Sequence, residues 1–239
     1  MEYELTDTHC HILPGLDDGS LNMEETLQVL REAERQNVGR MIVTPHFYPG
    51  KYEPGGGVVA AGTRKLQEIC RREGISIELY AGQECYYCSE LAGWLEEGKV
   101  LTLAGSRYVL VEFDPDCPYS QLRQGVGWLQ QAGYVPVLAH FERYACLRDG
   151  ERLGEIKSHG CLLQMNFDTL LLKDRWFHRN PWRELLKTGA VDLLGSDCHG
   201  THFRPLRIER TMEWLESQVD PGLLRQILET NVNKILRDE

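Results

Sequence analysis

Leu5-Thr6-Asp7-Thr8-His9-Cys10-His11-Ile12-Leu13-Pro14-Gly15-Leu16-Asp17-Asp18-Gly19 is the stretch on which the reading of the chain turns. It opens as an apolar strand and ends in two histidines one residue apart. In an extended strand, residues i and i+2 point to the same face. His9 and His11 therefore offer two imidazoles to one metal ion. Two strand histidines hydrogen-bonded in a core would show the same spacing. The later strand ends decide between the two readings.

Working outward, strand-like runs recur at 3–12, 40–47, 75–86, 107–113, 134–141, 160–167 and 190–197. Helix-like stretches lie near 23–37, 60–73, 88–97, 119–132, 149–158 and 181–189, and again at 205–217 and 221–237. Seven strands with intervening helices predict a parallel, barrel-like β/α fold. No linker, low-complexity tract or internal repeat divides the chain, so residues 1–239 are expected to form a single domain. Gly55-Gly56-Gly57 is expected in a long loop after the second strand, as a flexible surface turn or as a hinge for a loop over the site.

Carboxylates and imidazoles fall at the ends of these strands. They are His9 and His11, then His46 in Thr44-Pro45-His46, Glu84 in Gly82-Gln83-Glu84, Glu112 in Leu110-Val111-Glu112, His140 in Leu138-Ala139-His140, and Asp197 and His199 in Ser196-Asp197-Cys198-His199. In β/α barrels the active site sits where the strand C-termini converge. Glu112 and His140 each follow an apolar run, where an unpaired ionisable group is costly unless coordinated or paired. Metal coordination by imidazole and carboxylate accounts for the whole set.

Composition narrows the function class. The 239 residues are 42% hydrophobic, enough for a sizeable core, and carry a formal net charge of −10. An acidic surface argues against broad nucleic-acid or anionic-membrane binding, both of which need a basic face. No signal peptide is expected, since the first strand begins almost at Met1, and no transmembrane helix, since no apolar stretch approaches 18 residues. The scattered cysteines at 10, 70, 85, 88, 117, 146, 161 and 198 read as reduced, mostly buried thiols of a cytoplasmic protein.

Taken in order, His-x-His, Thr-Pro-His, Gly-x-Glu, Glu-Phe, Ala-His-x-Glu-Arg-Tyr and Ser-Asp-x-His resemble the polymerase and histidinol phosphatase (PHP) superfamily. More narrowly, His11-Ile-Leu-Pro-Gly-Leu-Asp-Asp-Gly19, Ser106-Arg-Tyr-Val-Leu-Val-Glu-Phe113 and Ala139-His-Phe-Glu-Arg-Tyr144 resemble the bacterial manganese-dependent protein-tyrosine phosphatases of capsule and exopolysaccharide operons. The closing Asn231-Val-Asn-Lys-Ile-Leu236 is similar to that family's C-terminal end, so the resemblance spans the chain. It implies a distorted seven-stranded (β/α) barrel, TIM-barrel-like, of α/β class. It places metal ligands on His9, His11, Asp18, His46, Glu84, Glu112, His140, Asp197 and His199, for up to three divalent ions. Mn²⁺ is implied, although mixed nitrogen and oxygen sites also accept Fe, Zn, Co or Mg. Spacing alone leaves Asp17 and Asp18 open; the resemblance favours Asp18, with Asp17 as a helix cap or a hydrogen-bonding support. Phosphate-binding arginines are implied at Arg143 and Arg204. Glu142 is expected to pair with a basic neighbour. The implied substrate is a phosphotyrosine protein, the tyrosine-rich tail of a cytoplasmic tyrosine autokinase of polysaccharide export, and the loop 47–60 with Tyr48 and Tyr52 is the expected peptide-facing wall. His202 is a candidate proton donor.

Rival readings exist. A cysteine-based tyrosine phosphatase uses Cys-x5-Arg, and Cys198…Arg204 has that spacing. So do Cys117…Arg123 and Cys146…Arg152, which empties the spacing of weight. Cys85-Tyr86-Tyr87-Cys88 is a lone C-x-x-C without a second pair, a weak zinc signal. Within the superfamily, a small-molecule phosphomonoesterase such as histidinol phosphatase would keep the same fold and metals.

Overall fold

All six residues of β1 (Leu5–Cys10) are buried, as befits a strand covered on both faces. Asn22 starts α1 (Met23–Arg35), its side chain accepting from the Glu25 N–H at 3.0 Å. α1 buries Thr26, Val29, Leu30 and Ala33, the i, i+3, i+4, i+7 stripe of an amphipathic helix. The computed structural model, which describes residues 3–172 and 180–239, continues this alternation. It runs through β2 (Val38–Val43), β3 (His46–Phe47), α2 (Gly56–Glu73), β4 (Glu78–Ala81), β5 (Glu84–Tyr86), α3 (Leu91–Glu96), β6 (Tyr108–Glu112) and α4 (Tyr119–Gln131). Then follow β7 (Val135–Leu138), α5 (Gly150–Ser158), β8 (Leu162–Asn166), α6 (Pro181–Lys187), β9 (Leu193–Gly195), α7 (Glu209–Gln218), α8 (Pro221–Arg225) and α9 (Asn231–Arg237).

These strands pair in parallel, in the orders β1-β2-β4 and β3-β5-β6-β7-β8-β9. The result is an α/β fold with a curled parallel sheet. The seven unbroken strands read from the sequence are not what is seen. The second run splits into β2 and β3 and the third into β4 and β5. Pro45 has no N–H to give to a ladder. Gln83 turns its buried side chain aside, accepting from the Leu101 N–H and donating to the Pro54 carbonyl, both at 2.9 Å. Bonds still cross the breaks, from the Gly82 N–H to the Val43 carbonyl (2.9 Å) and from the Glu84 N–H to the Pro45 carbonyl (3.2 Å). At the other margin, the Asp197 N–H donates to the His9 carbonyl (2.7 Å) and the His11 N–H to the Cys198 carbonyl (2.9 Å), which joins the ends of β1 and β9.

Four strand ends place a phenylalanine directly after a polar residue: His46-Phe47, Glu112-Phe113, His140-Phe141 and Asn166-Phe167. All four phenylalanines are fully buried. The main chain there is pinned by its apolar member while the polar member faces the strand termini. Tyr144 is buried with them, and its hydroxyl accepts from the Phe113 N–H at 3.0 Å.

Two further expectations are corrected. Gly56 and Gly57 are not loop residues; they form the first turn of α2, and the loop after β3 shrinks to residues 48–55. Gly56 is buried, its N–H donates to the Lys99 carbonyl at 2.8 Å, and a Cβ there would lie 2.9 Å from Leu101 Cδ2 and 3.0 Å from the Gly98 carbonyl oxygen. The glycine serves a close approach, not a hinge. α7 starts at Glu209 instead of 205, because Gln36 Oε1 accepts from the N–H groups of Ile208 (2.7 Å) and Glu209 (2.9 Å) and caps it from α1's end. Gly56→Ala is expected to destabilise the protein by about 1–3 kcal/mol through overpacking. Gly57→Ala, exposed and with nothing within 4 Å of its Cβ, is expected to be neutral or stabilising by up to about 1 kcal/mol. Urea unfolding of both variants checks this; equal effects would remove the close contact as the reason for Gly56.

Candidate metal centre and active site

His9 and His11 leave β1 with their Nε2 atoms 3.1 Å apart. Each ring is held from behind. His9 Nδ1 lies 3.0 Å from Gln164 Oε1, and His11 Nδ1 lies 2.8 Å from Asp17 Oδ2. Gln164 is itself oriented, accepting from the His140 N–H at Oε1 (2.9 Å) and donating from Nε2 to Asn166 (3.0 Å). Acceptors behind both rings hold each Nδ1 and turn both Nε2 atoms toward the same point. Glu84 Oε2 sits 3.3 Å from both. Two imidazole nitrogens and a carboxylate oxygen gathered at one point are the donor set of a cation site.

The other strand ends close around this point. His46 Nδ1 is 2.9 Å from Glu84 Oε2, and His140 Nε2 is 2.9 Å from Glu84 Oε1 and 3.4 Å from Glu112 Oε1. The His199 ring stacks on His11 with centroids 4.1 Å apart. Asp18 Oδ1 lies 3.5 Å from His46 Nε2 and 3.7 Å from His199 Nε2. Asp197 Oδ1 lies 3.5 Å from His11 Nε2 and 3.7 Å from His9 Nε2. Three overlapping groups result, each with one donor atom per residue within 4.8 Å: His11, His46 and His199; His9, His11 and Glu84; His46, Glu84 and Glu112. The buried Glu84 Oε2 and His199 Nε2 have no hydrogen-bond partner among the described residues. Imidazole nitrogens and carboxylate oxygens in this proportion fit divalent cations of intermediate hardness.

The carboxylates draw positive charge onto this cluster: against burial, Asp17, Asp197 and Glu84 raise His11 well above its usual value, and Glu112 and Glu84 raise His140 to about 9. Burial alone would raise the Glu84 carboxyl, but His9, His46, His11 and His140 hold it well below the usual range. Burial and the neighbouring His11 push His199 down to about 4, which leaves its imidazole neutral and able to donate a lone pair. The backbone is shaped for the same purpose. His140 (φ +33°), Asp197 (φ +52°) and Arg204 (φ +48°) are left-handed non-glycine residues, a strain that clusters at functional sites. Gly195 must be glycine, since a Cβ would lie 2.6 Å from His9 Cβ.

Asp17 and Asp18 divide their roles. The Asp17 side chain is buried and accepts from His11, from the His46 N–H (2.8 Å) and from the Gly19 N–H (2.9 Å). Burial opposes its ionisation, but these partners, His11 foremost, pull it down to about 2. It does not cap α1, which Asn22 does. Of the two aspartates, Asp18 is the one beside the His46 and His199 Nε2 atoms. Glu142 departs from expectation: its Oε1 accepts from the Asn166 N–H (3.0 Å) and the Thr169 hydroxyl (2.8 Å), neutral donors instead of a basic neighbour.

Arg143 and Arg204 approach from the outer side. Arg143 Nη2 donates to Asp197 Oδ2 at 2.5 Å and Arg204 Nη1 to the same oxygen at 3.3 Å. Both line a 360 Å³ cavity with Asn166 and Ser196. A larger groove of 640 Å³ lies between α2 and β4 and contains none of these residues, so its size does not make it the site. His202 is exposed. Gln164 and Asn166 are the residues the sequence reading missed. They alternate with Leu163 and Met165, a period of two that marks both as facing one side of β8. Cys198 is buried and its thiol is pushed up to about 12 by burial, which withholds the thiolate a cysteine mechanism needs. All eight cysteines are free.

The family described as capsular polysaccharide synthesis, CpsB/CapC, matches residues 5–237. Among curated proteins, the chain is 28% identical over 242 residues to tyrosine-protein phosphatase CpsB of Streptococcus pneumoniae, covering 98% of this chain and 99% of that one. It is 27% identical over 237 residues to tyrosine-protein phosphatase YwqE of Bacillus subtilis, covering 98% and 92%. Among solved structures, those of YwqE from Bacillus subtilis and CpsB from Streptococcus pneumoniae, described as unique metal-dependent tyrosine phosphatases, include a chain that superposes with a TM-score of 0.86 at 26% identity, covering 98% of this chain and 95% of that one.

The buried Asp17–His11 bond generates a prediction. Asp17→Asn is expected to weaken metal affinity by about 10–100-fold, the usual effect of removing a partner that orients a ligating imidazole. Calorimetric titration of the metal-stripped protein with Mn²⁺ measures it; an unchanged affinity would show that Asp17 does not orient the ring.

Proposed function

The chain belongs to the CpsB/CapC family, and from that premise we propose that it is a metal-dependent protein-tyrosine phosphatase acting on phosphotyrosine proteins of capsule or exopolysaccharide synthesis. The observation that carries this reading is the single carboxylate of Asp197, which faces the histidine–glutamate cluster with one oxygen and two exposed-edge arginines with the other. We read His9, His11, Asp18, His46, Glu84, Glu112, His140, Asp197 and His199 as the ligands of up to three divalent ions, Mn²⁺ foremost. The nine strand segments then act as seven passages of one distorted barrel in a single domain, with the ligands at its C-terminal rim.

When bound, such cations supply Lewis acidity toward phosphoryl oxygens and lower the pKa of water. The chain's own residues do the rest. Arg143 and Arg204 present forked guanidinium groups that bind phosphoryl oxygens and orient the phosphorus toward the ligand cluster. Asn166, whose Nδ2 donates to Asp197 Oδ2 at 2.9 Å, keeps that carboxylate aligned when the arginines turn to substrate. The leaving tyrosyl oxygen has a pKa of about 10, so it departs without a dedicated strong acid. We assign the partner as the tyrosine-rich tail of a tyrosine autokinase, a disordered segment able to bring a phosphotyrosine to an open rim. No described helix is long and apolar enough to cross a membrane, and we place the enzyme in the cytoplasm.

Chelation is expected to abolish activity and Mn²⁺ to restore it; full activity without metal would overturn the reading. Rates on a phosphotyrosine peptide, histidinol phosphate and a phosphoserine peptide decide the substrate, and a preference for histidinol phosphate would make the enzyme a small-molecule phosphatase instead. Arg143→Ala and Arg204→Ala are each expected to cost about 2–4 kcal/mol of transition-state stabilisation with metal content unchanged. Cys198→Ser is expected to keep most activity. A loss of about 10³-fold or more, with metals intact, would restore a thiol nucleophile.

A further inference from the structure

The cavity beyond the arginines has an unlike lining. Arg143, Arg204, Asp197, Glu142 and Asp168 are charged, whereas Leu172 and Trp182 are its large apolar groups. Leu172 is 61% exposed, an unusual position for a large apolar side chain beside a charged site. The apolar wall is built, not incidental. The buried Asn180 donates from Nδ2 to the Leu172 carbonyl at 2.8 Å and to the Thr169 carbonyl at 2.7 Å, while its Oδ1 accepts from the Trp182 N–H at 3.0 Å. One side chain thus fixes Leu172 and Trp182 relative to each other.

The same wall is registered against the phosphate-binding groups. Trp182 packs edge-on against Phe141, with centroids 6.0 Å apart and rings at 89°. Phe141 is buried and belongs to the 3-10 turn Phe141–Arg143, directly after His140. A rigid three-residue turn therefore sets the offset between the indole and the Arg143 guanidinium. Tyr48 and Tyr52 are less available. Tyr48 spends a ring face on Tyr86, at 4.2 Å and 16°, and Tyr52 lies parallel to His46 at 6.0 Å, with Lys51 Nζ 4.6 Å from its centroid.

We infer that Leu172 and Trp182 form the seat for the aromatic ring of an aryl phosphate and determine the preference for aryl over alkyl phosphomonoesters. An aryl ester holds an apolar ring directly behind its phosphate, where the cavity passes from guanidinium to indole and isobutyl. An alkyl ester such as phosphoserine brings polar main chain to the same place and leaves the wall unused. This assignment rests on the phosphatase reading above and names the residues that give it selectivity.

The test compares two probes with the Mn²⁺-reconstituted protein: phenylphosphonate, which carries a ring to reach Leu172 and Trp182, and inorganic phosphate, which has none. Trp182→Ala and Leu172→Ala are expected to weaken phenylphosphonate binding, measured by calorimetry, by roughly 10- to 100-fold and to leave phosphate binding within about twofold. KM for a phosphotyrosine peptide should rise in parallel while kcat holds, and Trp182→Phe should recover most of the loss. Equal weakening of both probes, or no change in either, overturns the seat. Leu172→Ala removes only an exposed side chain, so it carries the test even if Trp182→Ala fails to fold. The parent activity fails separately: wild-type protein that binds phenylphosphonate selectively yet turns over no phosphotyrosine peptide keeps the seat and overturns the phosphatase reading.

Discussion

Asp197 divides the molecule's charge into two working halves. Its Oδ1 lies within 3.7 Å of the His9 and His11 Nε2 atoms, and its Oδ2 holds Arg143, Arg204 and Asn166. The residue is left-handed, its N–H is bonded to the His9 carbonyl, and the chain reaches it through a glycine that touches His9. A left-handed aspartate costs about 1–3 kcal/mol, and such strain persists only where the surroundings over-determine it. Here the parallel ladder beneath supplies that constraint. The histidine–carboxylate cluster and the arginine pair are consequently one unit: whatever displaces β9 relative to β1 displaces both.

The rigidity behind the site comes from a repeated arrangement. At β3, β6, β7 and β8 a polar residue is followed at once by a buried phenylalanine. Transfer of such a ring from water stabilises by roughly 1.5–3 kcal/mol, so each strand end is anchored within one residue of the group it presents. Sites carried on anchored elements hold their geometry more tightly than sites on free loops. The hydrogen bonds to the outer nitrogens of His9 and His11 complete this, because a ring free to rotate would present the wrong atom.

Much of this was legible in the chain. Alternating apolar runs and amphipathic stretches marked nearly every strand and helix, since both periodicities follow directly from backbone geometry. The strand-end residues from His9 to His199 do converge, and Asp18, not Asp17, faces His46 and His199. What escaped the reading depends on long-range partners. Gln83 leaves the third strand for the Pro54 and Leu101 backbone, and Gln36 sets the start of a helix 173 residues later; neither is visible in local pattern. The three glycines looked like a loop because low helix propensity was the only local signal, whereas the contact with Gly98 and Leu101 requires one of them. Gln164 and Asn166 were overlooked for a different reason: amides carry no titratable signature, although their alternation along β8 pointed inward. Glu142 runs against the expectation of a cationic partner: its Oε1 accepts from the Asn166 N–H and the Thr169 hydroxyl, and burial raises its carboxyl.

A chain with a formal net charge of −10 that binds a phosphate dianion needs a local explanation. Beside the cavity, Asp197 is the carboxylate that bonds both Arg143 and Arg204. Glu142 and Asp168 also line it, and burial raises both carboxyls above their usual values. Charge pairs near a protein surface interact several times more strongly than in bulk water, and charges beyond about 10 Å are largely screened at physiological salt. The acidic character of the chain as a whole therefore leaves the guanidinium field at the cavity intact. Net charge governs which large surfaces can approach; the few groups within hydrogen-bond reach of Asp197 govern which small group can bind.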